Sequence, residues 1–177
     1  DIADQASKCS SIISGLLSFA RRSEGVPASH DPLTLLQDAF ALVRLRAEKL
    51  QVALQSAETG PLPRLYLDGD QLRQVFVNIL LNAIDATPGG AVTVSVLAES
   101  DRLLFRFCDT GCGIQAEHLD RIFDPFFTTK EVGQGTGLGL SVSYGMLQGM
   151  GGQIEVASQP GTGTTFTVIL PVNAAAE

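Results

Sequence analysis

Two asparagines, one carboxylate and a run of alternating glycines are the residues here whose types and spacing could do chemistry. In NILLNAIDA, Asn78 and Asn82 stand four apart, so on a helix they share a face. Asparagine is a poor mid-helix residue, and two on one face imply a use beyond helix formation. In DTGCGI, Asp109 closes a strand and is followed by Gly111 and Gly113. A carboxylate there can accept a hydrogen bond from an amino group, with the glycines easing close backbone approach. In GTGTTF, Thr164 opens the last strand. In GQGTGLGLSVSYG, Gly133, Gly135, Gly137 and Gly139 alternate ahead of an apolar run. Glycine costs backbone entropy, so the run implies either tight packing or backbone held close to a phosphate at a helix start.

The common phosphate motifs do not account for that run. A dinucleotide fingerprint needs G-x-G-x-x-G after a strand, and Leu138 and Leu140 occupy the positions where the next glycine would fall. A P-loop needs Gly-Lys-Ser/Thr, yet none of Lys8, Lys49 and Lys130 follows a glycine. The HRD and DFG signatures of protein kinases are missing too. Taken alone, the run fits a loop packed on a sheet as well as it fits a ligand.

The elements that must position these residues follow from hydrophobic spacing. Ile2, Ala6, Cys9, Ile13, Leu16 and Ala20 repeat in a 4-3-4-3-4 pattern, which predicts a bundle helix over residues 2–22. The polar stretch RRSEGVPASHDP separates it from the rest. Asp31 and Pro32 are in the order of an N-cap and a first-turn proline, opening a helix to about Lys49. VALQSA reads as a short strand and GPLP as a turn. Leu72, Val75, Phe76, Ile79, Leu80, Ala83 and Ile84 form the buried face of the asparagine-bearing helix, stopped by Pro88-Gly89-Gly90. AVTVSVLAE and RLLFRFCD alternate about Ser100-Asp101 and predict an antiparallel hairpin. A short helix over about residues 115–122, a helix ending near Met150, and strands GQIEVAS and TTFTVIL complete the chain. Blocks of helices around hairpins predict an α+β sandwich with a mixed sheet covered on one face.

Composition bounds the function. A chain of 177 residues, 45% hydrophobic, can bury one sizeable core with a small appendage. Charged residues make up 18%, which argues against disorder. The net charge of −7, with only 12 Lys and Arg, argues against nucleic acid as a partner. There is no membrane-length apolar run and no signal peptide, and the first residue is not Met, as expected of a fragment or processed piece. Cys9, Cys108 and Cys112 lack metal spacing and read as reduced cytosolic thiols, Cys112 as a small space-filler.

Taken together and in order, these stretches resemble the ATP-binding domain of sensor histidine kinases, in the superfamily with gyrase, the heat-shock chaperone ATPases and the mismatch-repair ATPases. NILLNAIDA matches the asparagine box, DTGCGI the first glycine box, FDPFF the phenylalanine box, GTGLGL the second glycine box and GTGTTFTVILP the last. The match spans about residues 30–172, and FFTTKEVGQGTGLGLSVSYG resembles the nitrogen-regulatory and oxygen-sensing subgroup. The resemblance implies a two-layer α/β sandwich with a mostly antiparallel sheet covered on one face, the Bergerat-type ATP-binding fold, preceded by one bundle helix. It implies ATP and Mg²⁺ as ligands. Asp109 would accept the adenine amino group, and Thr164 would support the base through water. Gly111 and Gly113 would shape the base pocket, with Ile114 packed on it. Asn82 would hold Mg²⁺, with Asn78 beside it near the phosphates. Lys130 would reach the phosphates from a lid hinged at Gly135, Gly137 and Gly139. Leu138 and Leu140 would present backbone N–H groups to phosphate. Phe123, Phe126 and Phe127 would either anchor that lid or serve as ordinary core aromatics.

The residue types also select among reactions. Hydrolytic superfamily members place a glutamate one turn before the Mg²⁺ asparagine, as general base for water. Here that position is Asn78, and a neutral amide cannot take a proton from water. Transfer to another acceptor is therefore expected, and the resemblance implies that this is a histidine on a dimerisation hairpin whose second helix would be residues 1–24. Residues 25–33 would be the linker and 34–177 the catalytic domain. His30 and His118 sit where neither could meet a γ-phosphate in line, so the acceptor histidine is expected upstream. The implied partners are a second copy of the protein, through the hairpin, and a response-regulator receiver domain. The alternatives are a hydrolytic ATPase of the same superfamily, and a nucleotide-binding scaffold or regulator without kinase activity. For Asp85, one turn after Asn82, three uses stay open: orienting a water, pairing with a basic group, or solvation.

Overall fold

The computed structural model describes residues 25–130 and 135–172, so the helix expected over residues 2–22 lies outside the described residues. The order is β1 (Ala28–His30), α1 (Pro32–Lys49), β2 (Ala53–Thr59), β3 (Leu65–Leu67), α2 (Gly69–Ala86), β4 (Ala91–Ala98), β5 (Arg102–Asp109), α3 (Ala116–Leu119), α4 (Gly139–Gly149), β6 (Gln153–Gln159) and β7 (Gly163–Pro171). Five strands form one sheet in the order β2-β4-β5-β7-β6. β2 and β4 run parallel and every other pair is antiparallel, so the sheet is mixed and mostly antiparallel.

Period-two alternation decides which face is buried. Val92, Val94 and Val96 of β4, Leu103, Phe105 and Phe107 of β5, and Phe166, Val168 and Leu170 of β7 are all buried. Register aligns them into rows: Val94 opposite Phe107 opposite Phe166, and Val96 opposite Phe105 opposite Val168. α2 lies on these rows, and its Phe76 ring centroid is 4.8 Å from that of Phe105 and 5.5 Å from that of Phe107. The whole apolar face expected of α2 is buried, so spacing alone identified it.

Local chemistry sets the helix starts. Asp31 caps α1, accepting from Leu33 N at 2.8 Å and Thr34 N at 3.4 Å, with Pro32 in the first turn. Asp68 caps α2 in the same way through Asp70 N and Gln71 N, and the Gln71 side chain donates back to it at 2.8 Å.

The elements depart from expectation at β1 with its partner β3 and at α3, and Cys112 departs in its role. Residues 28–30, expected within a linker, form β1 and pair antiparallel with β3, Ala28 opposite Leu67 and His30 opposite Leu65. Three residues carry no readable periodicity, and each strand's partner is distant in the chain. α3 spans only Ala116–Leu119, after which turn bonds such as Arg121 N to His118 O take over. Cys112 is exposed and fills no space; its backbone does the work, donating to Ala86 O at 3.1 Å and accepting from Gly161 N at 2.8 Å. No helix among the described residues is long and apolar enough to cross a membrane.

Candidate functional site

Two groups of polar residues lie at α2, one near its C-terminal end and one on the flank facing α4. The first is built on Asp109. It falls in the alternation of Leu103, Phe105 and Phe107, so it points into the helix-covered layer at the edge of the core, only 8% exposed. β7 places Thr164 directly opposite. Three donors converge on one oxygen of this carboxylate, Oδ1: Gly111 N at 2.9 Å, Thr164 N at 3.2 Å and Thr87 Oγ1 at 3.4 Å. Oδ2 has no hydrogen bond among the described residues and is left open. Burial disfavours the carboxylate more than these donors favour it, so its pKa is raised above the ordinary 3.8.

Thr164 Oγ1 shares a hydrogen bond of 2.8 Å with Ser158 Oγ, which also accepts from Ile114 N at 2.8 Å. Ile114, Thr164 and Asp109 are therefore held as one unit across β5, β6 and β7. Gly111 is required by close approach, since a Cβ there would sit 2.4 Å from Ala86 O. Gly113 has φ +69°, and a Cβ there would sit 2.2 Å from Gln159 O.

The second group surrounds a cavity of about 240 Å³. Asn78, Asn82, Asp85, Phe127, Lys130 and the segment Gly135, Thr136, Gly137, Gly139, Leu140 line it. The cavity thus unites seven residues expected near the phosphates, while Asp109 and Thr164 stand apart from its lining. The Asn82 side chain makes no hydrogen bond among the described residues, which leaves its amide oxygen available to the cavity. Asn78 is committed instead: its Nδ2 donates to Gly139 O at 3.1 Å and to Ser143 Oγ at 3.0 Å, and its Oδ1 accepts from Gln74. It fastens the start of α4 to α2.

Leu138 differs from expectation. It is buried, it precedes α4 as the N-cap, and its N–H donates to Thr136 Oγ1 at 3.3 Å rather than into the cavity. The N-terminus of α4 does face the cavity, through Gly139 and Leu140.

Gly137 explains why the glycine run meets the phenylalanine segment. Its φ is +66°, a Cβ would fall 2.4 Å from Phe126 C, and its carbonyl accepts from Phe126 N at 2.9 Å. Gly137→Ala should lower stability by about 2 kcal/mol, from backbone strain plus displacement of Phe126; a denaturant titration reads it directly. The aromatics divide. Phe126 is 63% exposed and contributes its backbone, whereas Phe127 is held between His118, at 5.5 Å, and the Arg121 guanidinium, at 4.8 Å. Phe123 packs on Tyr144 at 5.5 Å.

Asp85 pairs with basic groups. Oδ2 lies 2.6 Å from Lys130 Nζ, and Oδ1 accepts from Arg46 Nε at 2.9 Å and Nη2 at 2.8 Å. Burial works against its charge, but Lys130 and Arg46 together outweigh burial and lower its pKa below 3.8. Arg46, Thr87, Ser143 and Ser158 were not singled out from sequence. Thr87, polar between a helix and Pro88, carried a faint local signal; Arg46 carried none.

The family model for histidine kinase-, DNA gyrase B-, and HSP90-like ATPases matches residues 67–174, which span the asparagine helix, both glycine segments and the closing strands. The chain belongs to this ATPase family. Within it, the similarity runs to sensor kinases. The chain is 38% identical over 188 residues to Sensor kinase CckA of Brucella abortus (strain 2308), covering 97% of this chain and 20% of that protein. It is 37% identical over 173 residues to Sensor histidine kinase ZraS of Escherichia coli (strain K12), covering 97% of this chain and 37% of that one. The chain thus spans well under half the length of these relatives. Among solved structures, full-length ShkA in complex with AMPPNP superposes with TM-score 0.83 at 31% identity, over 94% of this chain and 36% of that chain. The nucleotide-free catalytic domain of histidine kinase ThkA gives TM-score 0.75 at 26% identity, over 82% of this chain and 95% of that chain. The ATP-binding domain is of the sensor histidine kinase type, and its two-layer sandwich is the one these ATPases share.

Proposed function

We propose that this domain binds Mg-ATP and donates the γ-phosphate to a histidine on a dimerisation hairpin. Adenine takes the open Oδ2 of Asp109, with Thr164 supporting the base. The phosphates take the cavity under Lys130, Gly135, Gly137, Gly139 and Leu140, where the N-terminus of α4 favours negative charge. Mg²⁺ suits the donor set: one amide oxygen, that of Asn82, with no cluster of three His, Cys, Asp or Glu among the described residues that could cage a metal by themselves. When bound, the ion neutralises charge developing on the phosphates.

One observation carries transfer over hydrolysis: no cavity-lining group among the described residues is poised as a base for water. Asn78 is a neutral amide spent on Gly139 and Ser143, and the Asp85 carboxylate is held between Lys130 and Arg46. Residues 1–24 then belong to the hairpin, and the second copy and a response-regulator receiver domain are the partners. Incubation of the chain with γ-labelled ATP, Mg²⁺ and a separately supplied histidine hairpin should give acid-labile label on the hairpin with little free phosphate. Steady phosphate release by the chain alone would establish the hydrolytic alternative. Calorimetry without any nucleotide binding would leave a scaffold.

A further inference from the structure

We propose that Arg46, on α1 and outside the cavity lining, is a positioning residue for phosphate binding, acting through Asp85 on Lys130. This rests on the assignment of the cavity to nucleotide phosphates. The geometry is a carboxylate shared by two cations, one oxygen to each: Lys130 on Oδ2 from the cavity side, Arg46 on Oδ1 from behind. Asp85 and Lys130 both line the cavity and Arg46 does not. A carboxylate in a phosphate site repels its ligand and competes for the lysine that should meet it. Arg46 offsets both effects. Its Nε and Nη2 engage Oδ1 together, so Asp85 stays charge-balanced when Lys130 leaves it for a phosphate oxygen. Lys130 is a single flexible point charge and can exchange partners, while the planar Arg46 fork stays in place. The Asp85 side chain is 20% exposed, against 46% for Arg46 and 34% for Lys130, so the shared carboxylate is the least solvated member and the one most in need of balance.

The test uses the whole chain and two probes, Mg-ATP and adenosine, which shares the base but lacks phosphates. Arg46→Met should weaken Mg-ATP binding about fivefold or more, leave adenosine binding unchanged and barely move the thermal midpoint. Arg46→Lys should keep part of the affinity. In an Asp85→Asn background, Arg46→Met should have little effect, because the charge it balances is gone. The proposal is overturned by unchanged Mg-ATP affinity in Arg46→Met, by an equal loss for adenosine, or by an undiminished loss in the Asp85→Asn background. A parent chain that binds adenosine but gains nothing from the phosphates of Mg-ATP would overturn the cavity assignment itself, and this proposal with it. Should Arg46→Met fold poorly, Arg46→Gln keeps the stem length and is read in the same way.

Discussion

Asp109→Asn is expected to weaken nucleotide binding about a hundredfold or more while leaving the fold intact. The separation follows from how the carboxylate is divided. Gly111 N, Thr164 N and Thr87 Oγ1 all donate to Oδ1, and the carbonyl oxygen of an asparagine can keep all three. The open Oδ2 becomes an NH2 group, so a ligand amino group meets a donor instead of an acceptor. Stability should hold or rise slightly, since the folded-state pKa of Asp109 is raised and its ionised form therefore opposes folding. The same shift sets a pH dependence. A ligand that needs the carboxylate binds fully above the raised pKa and is lost as pH falls through it, earlier than a carboxylate at the ordinary 3.8 would dictate. Isothermal titration across pH should show this fall in the parent chain and not in Asp109→Asn. Unchanged affinity in the variant would remove Asp109 from the base site.

Asn78→Glu installs the residue that hydrolytic superfamily members carry, yet it is expected to cost about 3 kcal/mol of stability without producing an ATPase. The Asn78 amide donates to Gly139 O and Ser143 Oγ. A carboxylate can donate to neither when ionised, and it would face the Gly139 carbonyl as a like partial charge. The start of α4, and Gly139 and Leu140 with it, should detach from α2. Denaturant unfolding and phosphate release on one preparation decide the matter: a stable variant with steady ATP turnover would show that only the missing base separates this chain from hydrolysis. On stability, the ion pairs of Asp85 act in the opposite sense to Asp109. Their contribution is present above 3.8 and fades as pH falls through the lowered folded value.

Much of the architecture was legible because it rests on periodicity. Seven apolar positions identified the buried face of α2, the Asp31-Pro32 pair identified the start of α1, and alternation identified β4 and β5. β1 and β3 were not legible: a three-residue strand has no period, and its pairing partner is nonlocal. Asp109 and Thr164 could be named as candidates, since each stands at the end of a strand within a glycine-rich stretch that resembles a family box. That they face each other, and that one carboxylate oxygen is left open, required the register of β5 against β7.

The sequence by itself determined the residue types: an amide where a base would stand, a lone lysine ahead of the glycines, and an aspartate one turn past Asn82. Tertiary structure decided their partners. It kept Asn78 at the cavity wall and made it also the fastening between α2 and α4, turned Leu138 inward, and made Gly137 the seat of Phe126. It also gave Asp85 the use that sequence left open, by bringing Arg46 to it from 39 residues away. Spacing reports which residues share a face of one element, but a salt bridge between two helices and a loop depends on how those elements pack, and no local pattern encodes that.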